Sequence, residues 1–343
     1  MFRRDLIKCL IVAMVCSMSV PVNAADISAR INGRTRAWLE NVAIKDGPST
    51  TQIKADGRLG ADIKAVSGSW TVTAYQDIDL DSDESQASPT IGEQKITLGT
   101  DNLDITLGRF SPYGVTKGMK YAIGPISDVA SFWVGENLPT TDFTDHMVAN
   151  LKDVGLKLIV GLNNYHAADS TTDARNEIVA AAVFGKEVGP VDLGVEVISA
   201  STTIDEKDSN AVKNGTYDGQ IFSALALGIG YTISKTISVA FNFESNSNTA
   251  GTTGAEADKN SIMEIWFDFG LDDTSGISIG YGTKANDNGS ANKGQSTLLS
   301  LSYLKRLGIA GLYANYLAAT EKDDDTATDT ATTTVAAGLK INF

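Results

Sequence analysis

The sequence predicts an all-β fold, a sixteen-stranded antiparallel transmembrane β-barrel that occupies residues 25–343. Three observations predict this class. About sixteen segments alternate apolar and polar residues, which indicates strands with one apolar and one polar face. Short links alternate with long polar links along the chain. No apolar run after residue 24 approaches the ~20 residues that a membrane-spanning helix needs.

The first element, residues 1–24, is predicted to be a secretory signal peptide. It has three basic residues within its first eight positions, then a short apolar stretch, then the small residues Val22 and Ala24 at the −3 and −1 positions of a cleavage site. The chain has two cysteines, Cys9 and Cys16, and both lie in this segment. We therefore expect a mature protein that begins after Ala24 and does not depend on disulfides.

The first two predicted strands, near 27–39 and 53–64, have one apolar face and one basic face, and a long polar link over 40–51 is expected between them. A Lys or Arg that faced lipid near the membrane midplane would cost about 2–4 kcal/mol, so we expect the basic faces to point inward. The bases on these faces are Arg30, Arg34, Arg36, Lys54, Arg58 and Lys64.

Later segments repeat this pattern. Strands are predicted over ranges that include 221–231, 237–243, 261–269, 297–303 and 309–317, and the alternation slips at 92–99 and 144–152. Short links should alternate with long ones in a barrel that has an even number of strands and both chain termini on one side of the membrane. Outer-membrane barrels have short periplasmic turns and long extracellular loops, so this organisation is predicted here.

The final strand keeps its alternation up to the last residue, with Leu339, Ile341 and Phe343 on one face. It is expected to close against the first strand, because a closed barrel satisfies backbone groups that lipid cannot. Outer-membrane barrels typically end in an aromatic residue that is read by the assembly machinery, and the chain resembles them in this respect.

Three short motifs, in order along the chain, resemble those of the general diffusion porins of Gram-negative bacteria: residues 31–34 (INGR), 57–60 (GRLG) and 107–110 (LGRF). This resemblance implies a homotrimer whose water-filled lumen is narrowed by an inward-folded third loop, with Arg34, Arg58 and Arg109 at the constriction. The Pro-Glu-Phe-Gly-Gly tip of that loop in the family is absent. No Arg stands near Asp145-His146, where the family has a fourth base.

The predicted site is therefore a constriction between a basic wall and an acidic loop. The wall comprises Arg34, Arg58, Arg109, Arg30 and Lys54. Arg109 breaks the alternation with Leu107, so its inward orientation depends on the resemblance and on a bend at the strand end. The longest link, 111–143, contains Asp128, Glu136 and Asp142, of which Asp128 and Glu136 are predicted to face the wall. A link of this length is usually functional, and charged rings of this kind act on permeating ions.

The predicted function is passive diffusion of small hydrophilic solutes and ions through the outer membrane. Two alternatives stay open: a hydrolase barrel, and a structural or adhesin barrel without conductance. The histidines His146 and His166 are the only two in the chain, no G-x-S-x-G motif lies near them, and their roles stay open. No metal site or cofactor is predicted, and a net charge of −14 argues against nucleic-acid binding.

Outer-membrane lipid and lipopolysaccharide are the other expected partners. Three acidic clusters, 77–84, 205–208 and 321–325, are predicted to lie at the outer rim. There, divalent cations could bridge them to anionic lipopolysaccharide.

Overall fold

The computed structural model describes residues 26–79, 90–110, 116–121, 145–166, 175–204, 221–249, 258–287, 293–323 and 329–343. Sixteen strands in these ranges form one closed antiparallel barrel, in which each strand pairs with its neighbours in sequence and the first pairs with the last. The strands are β1 (Asp26–Ile44), β2 (Ser49–Ser67), β3 (Trp70–Asp79), β4 (Thr90–Gly99), β5 (Leu103–Arg109), β6 (Asp145–Leu151), β7 (Leu156–His166), β8 (Arg175–Val188), β9 (Val191–Ile204), β10 (Ile221–Thr232), β11 (Ile237–Thr249), β12 (Asp258–Asp272), β13 (Ser275–Asp287), β14 (Lys293–Leu307), β15 (Ala310–Asp323) and β16 (Asp329–Asn342).

The alternation of the sequence becomes an outer and an inner face. On β1, Ile31 is 71% exposed on the outside, whereas Arg36 and Trp38 point inward and are buried. The same division holds on β11, where Phe241 is exposed and Asn242 is fully buried. Since successive side chains of a strand point to opposite sides, one apolar and one polar face follow directly from a period of two.

The hairpin of β1 and β2 is longer than predicted, and the expected link over 40–51 is wrong. Pairing continues as far as Ala43 and Ser49, so that only residues 45–48 connect the two strands. The apolar outer pattern fades beyond Leu39, which ended the predicted strand. Backbone hydrogen bonds can continue past that point, because a strand that leaves the apolar layer can have polar residues on both faces.

The seven predicted short links are confirmed. The links predicted over 285–295 and 320–331, like the β1–β2 link, are shorter than expected, because the strands on either side extend to Asp287, Lys293, Asp323 and Asp329. Seven short turns lie at one end of the barrel, between β2 and β3 and then between every second pair of strands up to β14 and β15. Gly189 and Gly308 have φ values of 60° and 65° in two of these turns, a left-handed conformation that favours glycine. Within the described residues, no helix is long and apolar enough to cross a membrane.

Phe343 closes the barrel against β1. Its N–H donates to the Gly33 carbonyl at 3.0 Å, and the Gly33 N–H donates to the Phe343 carbonyl at 2.8 Å. A Cβ on Gly33 would lie 2.7 Å from Cζ of the Phe343 ring. Glycine at this position therefore lets the aromatic ring cover the outer surface of the seam.

Candidate functional site

The inner faces of β1 and β2 form a basic wall. Arg34 stands directly opposite Arg58 in the register, and Arg30 and Lys54 lie on the same face of the two strands. The structure therefore places four of the five predicted basic residues on the lumen side. Their role at a constriction stays a prediction.

Two of these bases have acidic partners on the same wall. Lys54 Nζ lies 3.2 Å from Glu40 Oε1, and Arg30 Nη2 lies 3.3 Å from Asp62 Oδ2. By contrast, no ion pair within the described residues involves Arg34.

Arg36 has a structural role in this wall. Its Nε lies 2.8 Å from both carboxylate oxygens of Asp56, its Nη2 also contacts that carboxylate, and its guanidinium lies 5.6 Å from the centroid of the Trp38 ring. The side chain of Arg36 is only 5% exposed. A buried guanidinium needs an acidic partner, which Asp56 provides. Arg36 therefore stabilises the wall and exposes little of its charge to the lumen.

Asp77 lies inside the barrel, so its predicted place in an outer-rim acidic cluster is wrong. It is fully buried, accepts hydrogen bonds from Tyr75 Oη at 2.8 Å and from the Glu93 N–H at 2.6 Å, and lies 3.4 Å from Arg58 Nη1. The alternation of β3 puts Tyr75 and Asp77 on the inner face. The sequence contained this signal, but the neighbouring acids of 79–84 obscured it.

Lys95 extends the basic wall onto β4 and was not predicted. Its Nζ lies 2.7 Å from Glu93 Oε2, 5.1 Å from the centroid of the Tyr75 ring and 5.5 Å from that of Phe110. Alternation slips in this segment because the β3–β4 register shifts between Gln76 and Ile78. The sequence pattern therefore could not assign Lys95 to a face.

Arg109 does not join the basic wall, and its predicted inward orientation is wrong. Gly108 stands opposite Lys95 and His146, both on the inner face, and the register continues without a bulge to place Arg109 opposite Gln94. Directly opposed residues point to the same side of a sheet, and both Gln94 and Arg109 are exposed. The expected bend does not reverse the alternation, so Arg109 lies on the outer face.

The third loop folds into the lumen at residues 116–121, where the structure describes it. The Lys117 N–H donates to Asn242 Oδ1 at 2.8 Å, and Asn242 Nδ2 donates to the Lys117 carbonyl at 3.0 Å. The Lys120 N–H donates to Asp268 Oδ1 at 3.1 Å. Because these partners lie on the inner faces of β11 and β12, the loop segment runs across the inside of the barrel wall.

Further contacts hold the segment on β13 and β9. The Tyr121 N–H donates to Ser278 Oγ at 3.0 Å, and Lys117 Nζ lies 2.8 Å from Asp192 Oδ1. Polar side chains of the wall thus satisfy backbone groups of the loop that would otherwise need water.

Apolar packing completes this attachment. Met119 packs against the buried cluster that includes Ala240 and Trp266. Gly118 has φ 90°, and a Cβ there would lie 2.7 Å from the Trp266 Cβ. Glycine is therefore needed both for the backbone conformation and for the close approach to the wall. Tyr121 packs against a second buried cluster on the neighbouring strands.

Four buried acids line the wall on which this loop segment rests. Asp268 also accepts from Ser278 Oγ at 2.5 Å, and Glu244 Oε1 accepts from Asn246 Nδ2 at 2.7 Å. β9 begins halfway round the barrel from β1, so this wall faces the basic one. Sequence reasoning missed these acids, although each stands on the polar face of an alternating segment. The four are Glu196, Glu244, Glu264 and Asp268, none more than 2% exposed.

The other predicted functional residues add no further site. Asp128 and Glu136 lie outside the described residues, as does the side chain of His166. His146 is buried, with its ring 5.7 Å from that of Phe110 in an edge arrangement. In the described part of the chain, no group of three or more His, Cys, Asp or Glu residues could hold a metal ion.

No protein-family model matches this sequence, and no curated protein matches it either. Solved structures do match. An anion-selective porin from Comamonas acidovorans is 13% identical with TM-score 0.67, covering 93% of this chain and 100% of that one. A loop-deletion mutant of OmpT, an outer membrane protein of Vibrio cholerae, is 12% identical with TM-score 0.67, covering 92% and 99%. The outer membrane channel DcaP of Acinetobacter baumannii is 15% identical with TM-score 0.66, covering 94% and 98%. This chain therefore has the barrel fold of outer-membrane porins and channels.

Proposed function

We propose that the chain is an outer-membrane channel for the passive diffusion of small hydrophilic solutes and ions. The observation that supports this best is the third-loop segment, which crosses the inner wall of a closed sixteen-stranded barrel. A loop segment held against the inner faces of β11 to β13 narrows the lumen. The basic wall of β1 and β2 lies on another part of the same inner surface.

The charges of the lumen suit a water-filled passage. Side chains of Arg58 and Lys54 are 30% and 22% exposed, so their charges reach the solvent although both have acidic partners. The four acids of the opposite wall are buried, and one of them, Asp268, accepts a hydrogen bond from the loop segment. An ion in transit therefore crosses a transverse field with its positive side on β1 and β2, as pore-lining charges act in other channels. We keep Asp128 and Glu136 as proposed loop acids of this field.

We place the protein in the outer membrane of a Gram-negative cell, after removal of residues 1–24. The barrel fold and the apolar outer face support this location, because lipid-exposed strands must be closed into a barrel. We also propose a homotrimer. One of the similar structures, OmpT of Vibrio cholerae, was solved in a trimer form. Lipid and lipopolysaccharide remain the proposed surroundings of the outer face.

Conductance across a planar bilayer tests the proposed function. The purified, unheated protein should insert in discrete steps, each of which opens a lasting ohmic current. The heat-unfolded protein at the same concentration is the control and should give none. Proteoliposomes should swell in small sugars, and the rate should fall as the sugar grows.

The same experiment separates the alternatives. The folded barrel is recognised by gel migration that changes on heating. If protein in this state inserts without any conductance, the result contradicts the channel and favours a structural or adhesin barrel. A hydrolase would cleave ester or peptide substrates while the bilayer stays closed. We favour the channel because the described lumen residues include partly exposed charged side chains and a loop segment held against the inner wall of the barrel.

A further inference from the structure

Two rows of hydroxyl side chains cross the outer face of the barrel, toward the end that has the long links. In the register, Ser223 on β10 stands directly opposite Ser199 on β9 and Ser247 on β11, and the hydroxyls of Ser223 and Ser247 share a hydrogen bond of 2.9 Å. Thr297 and Thr320 stand opposite each other on β14 and β15, with their hydroxyls 2.5 Å apart. The two rows, here called the hydroxyl belt, consist of Ser199, Ser223 and Ser247 and of Thr283, Thr297 and Thr320.

The hydroxyl belt borders the apolar band of the outer face. Ser223 is two residues from Leu225 on β10, and Thr297 is two residues from Leu299 on β14. Both leucines are 46% exposed on the outside, and side chains two residues apart in a strand share a face, so these hydroxyls also point outward. From the belt toward the short turns, the outward residues of β10 are Leu225, Leu227, Ile229 and Tyr231. The belt is therefore a polar layer at the edge of the band.

The hydroxyls of the belt keep unused hydrogen-bonding capacity. Each hydroxyl has one donor and two acceptor positions, and a cross-strand hydrogen bond uses one donor and one acceptor. A pair such as Ser223 and Ser247 therefore keeps one donor and three acceptor positions. Hydrocarbon cannot satisfy them. The belt thus suits surroundings that have hydroxyl, amide or phosphate groups of their own.

Two lysines next to the belt are a second observation. Lys259 on β12 stands directly opposite Ser247, and Lys322 lies two residues beyond Thr320 on the same face of β15. Both lysines are exposed. An ammonium group donates hydrogen bonds and attracts phosphate, so a phosphorylated group that lies on the belt can reach a lysine.

We propose that the hydroxyl belt binds the phosphorylated sugar headgroup of an outer-leaflet glycolipid, with sugar hydroxyls on the belt and a phosphate at Lys259 or Lys322. The inference depends on the proposed outer-membrane location. Sugar hydroxyls both donate and accept hydrogen bonds, as the belt does. A phospholipid headgroup offers mainly its phosphate, and Asp287 and Asp329, which stand opposite the two lysines in the register, offset attraction by charge alone. The belt therefore fits a glycolipid better than a phospholipid.

Retention of lipid A, the phosphorylated disaccharide anchor of lipopolysaccharide, tests this proposal. A variant with Ser223→Ala, Ser247→Ala, Thr297→Val and Thr320→Val removes both hydrogen-bonded hydroxyl pairs. The full mature protein, folded in detergent, mixed with lipid A and washed, should keep several-fold more lipid A than this variant. The wash contains a chelator, so that divalent cations bridging acidic residues to lipid A do not contribute.

The matched control changes a hydroxyl pair of similar geometry on the inner face. Thr97 and Thr106 stand opposite each other on β4 and β5, with their hydroxyls 2.8 Å apart, and Thr97 shares the face of Lys95. Thr97→Val, Thr106→Val should retain lipid A as the original protein does. Full retention by the belt variant overturns the proposal, as does an equal loss in this control.

Phosphatidylglycerol, an anionic phospholipid without a sugar, is the second probe. If the original protein retains it as strongly as lipid A, and the belt variant loses both alike, the surface selects charge alone and the proposal fails. Loss of all retention in the chelator also overturns it, because cation bridges then hold the lipid.

A second variant keeps the proposal testable if the four substitutions prevent folding. Lys259→Gln, Lys322→Gln changes only exposed side chains, and it should lower retention of lipid A but leave retention of dephosphorylated lipid A unchanged. The absence of this difference overturns the proposed phosphate contact. Bilayer conductance, recorded on the same samples, shows separately whether the proposed channel function fails.

Discussion

Arg34 and Arg58 face each other on the basic wall but differ in what surrounds them. Arg58 lies 3.4 Å from the buried Asp77, whereas Arg34 makes no ion pair within the described residues. A unit charge about 4 Å from an ion in water contributes about 1 kcal/mol, which is enough to change local ion density several-fold. Loss of either arginine should therefore be measurable in the ion selectivity of the pore.

We expect Arg34→Gln and Arg58→Gln to shift the reversal potential toward cation selectivity, and the shift to shrink as salt rises because the charges are screened within about 8 Å at physiological salt. The double variant Arg58→Gln, Asp77→Asn should restore selectivity close to that of the original protein, since it removes one charge of each sign. Reversal potentials in a tenfold salt gradient measure this.

Lys64→Gln is the matched control for these variants. Lys64 is exposed and stands near the β2–β3 turn, where the lumen is expected to be wider and better screened. A shift for Lys64→Gln as large as that for Arg58→Gln would place the selectivity filter elsewhere. So would the absence of any shift in the arginine variants.

Residue-level prediction succeeded where alternation was regular and failed where it was not. Arg30, Arg34, Lys54 and Arg58 lie inside because their strands repeat with an unbroken period of two. Arg109 was assigned from a family motif against the alternation, and the register shows that alternation governs its orientation. In a paired strand, continuous hydrogen bonding to both neighbouring strands determines the side of the sheet to which each side chain points.

Among the elements, the third loop gains its position from contacts that the sequence could not show. The resemblance to general diffusion porins implied an inward fold, but the partners of Lys117 and Lys120 lie more than a hundred residues away on β11 and β12. Likewise, the β1–β2 hairpin extends beyond its apolar pattern, because backbone pairing does not require an apolar face. Strand existence was thus predictable, while strand ends and loop attachment depended on tertiary partners.

We expect Asn242→Ala to loosen the third loop. Asn242 is fully buried and bonds both the N–H and the carbonyl of Lys117. Its loss leaves these backbone groups without their protein partner, a cost of about 1–3 kcal/mol for a buried group. Single-channel recordings should show noisier current and a changed mean conductance.

Ser247→Ala is the control on the same strand, since Ser247 bonds only Ser223, at 2.9 Å, among the described contacts. It should leave the current unchanged. If Asn242→Ala also gives the original conductance and noise, the described loop segment does not limit the passage.

For the ion selectivity of the whole molecule, the sign and position of the lumen charges matter more than the net charge of the chain. The chain has a formal net charge of −14, yet the described lumen surface has accessible bases on one wall and buried acids on the other. Net charge therefore gives no direct measure of ion selectivity.

Closure of the barrel is a property of the whole molecule, and deletion of Phe343 tests it. Deleting it removes both hydrogen bonds to Gly33, each worth about 1 kcal/mol, and uncovers the seam between β1 and β16. The fraction of heat-modifiable protein in the outer membrane should fall strongly. Phe343→Leu keeps the backbone bonds but loses the ring over Gly33, so its yield should be intermediate. Removing residues 251–256, in the polar link between β11 and β12, is the control and should be tolerated. Equal yields from all three variants would show that the β1–β16 seam forms without help from this residue.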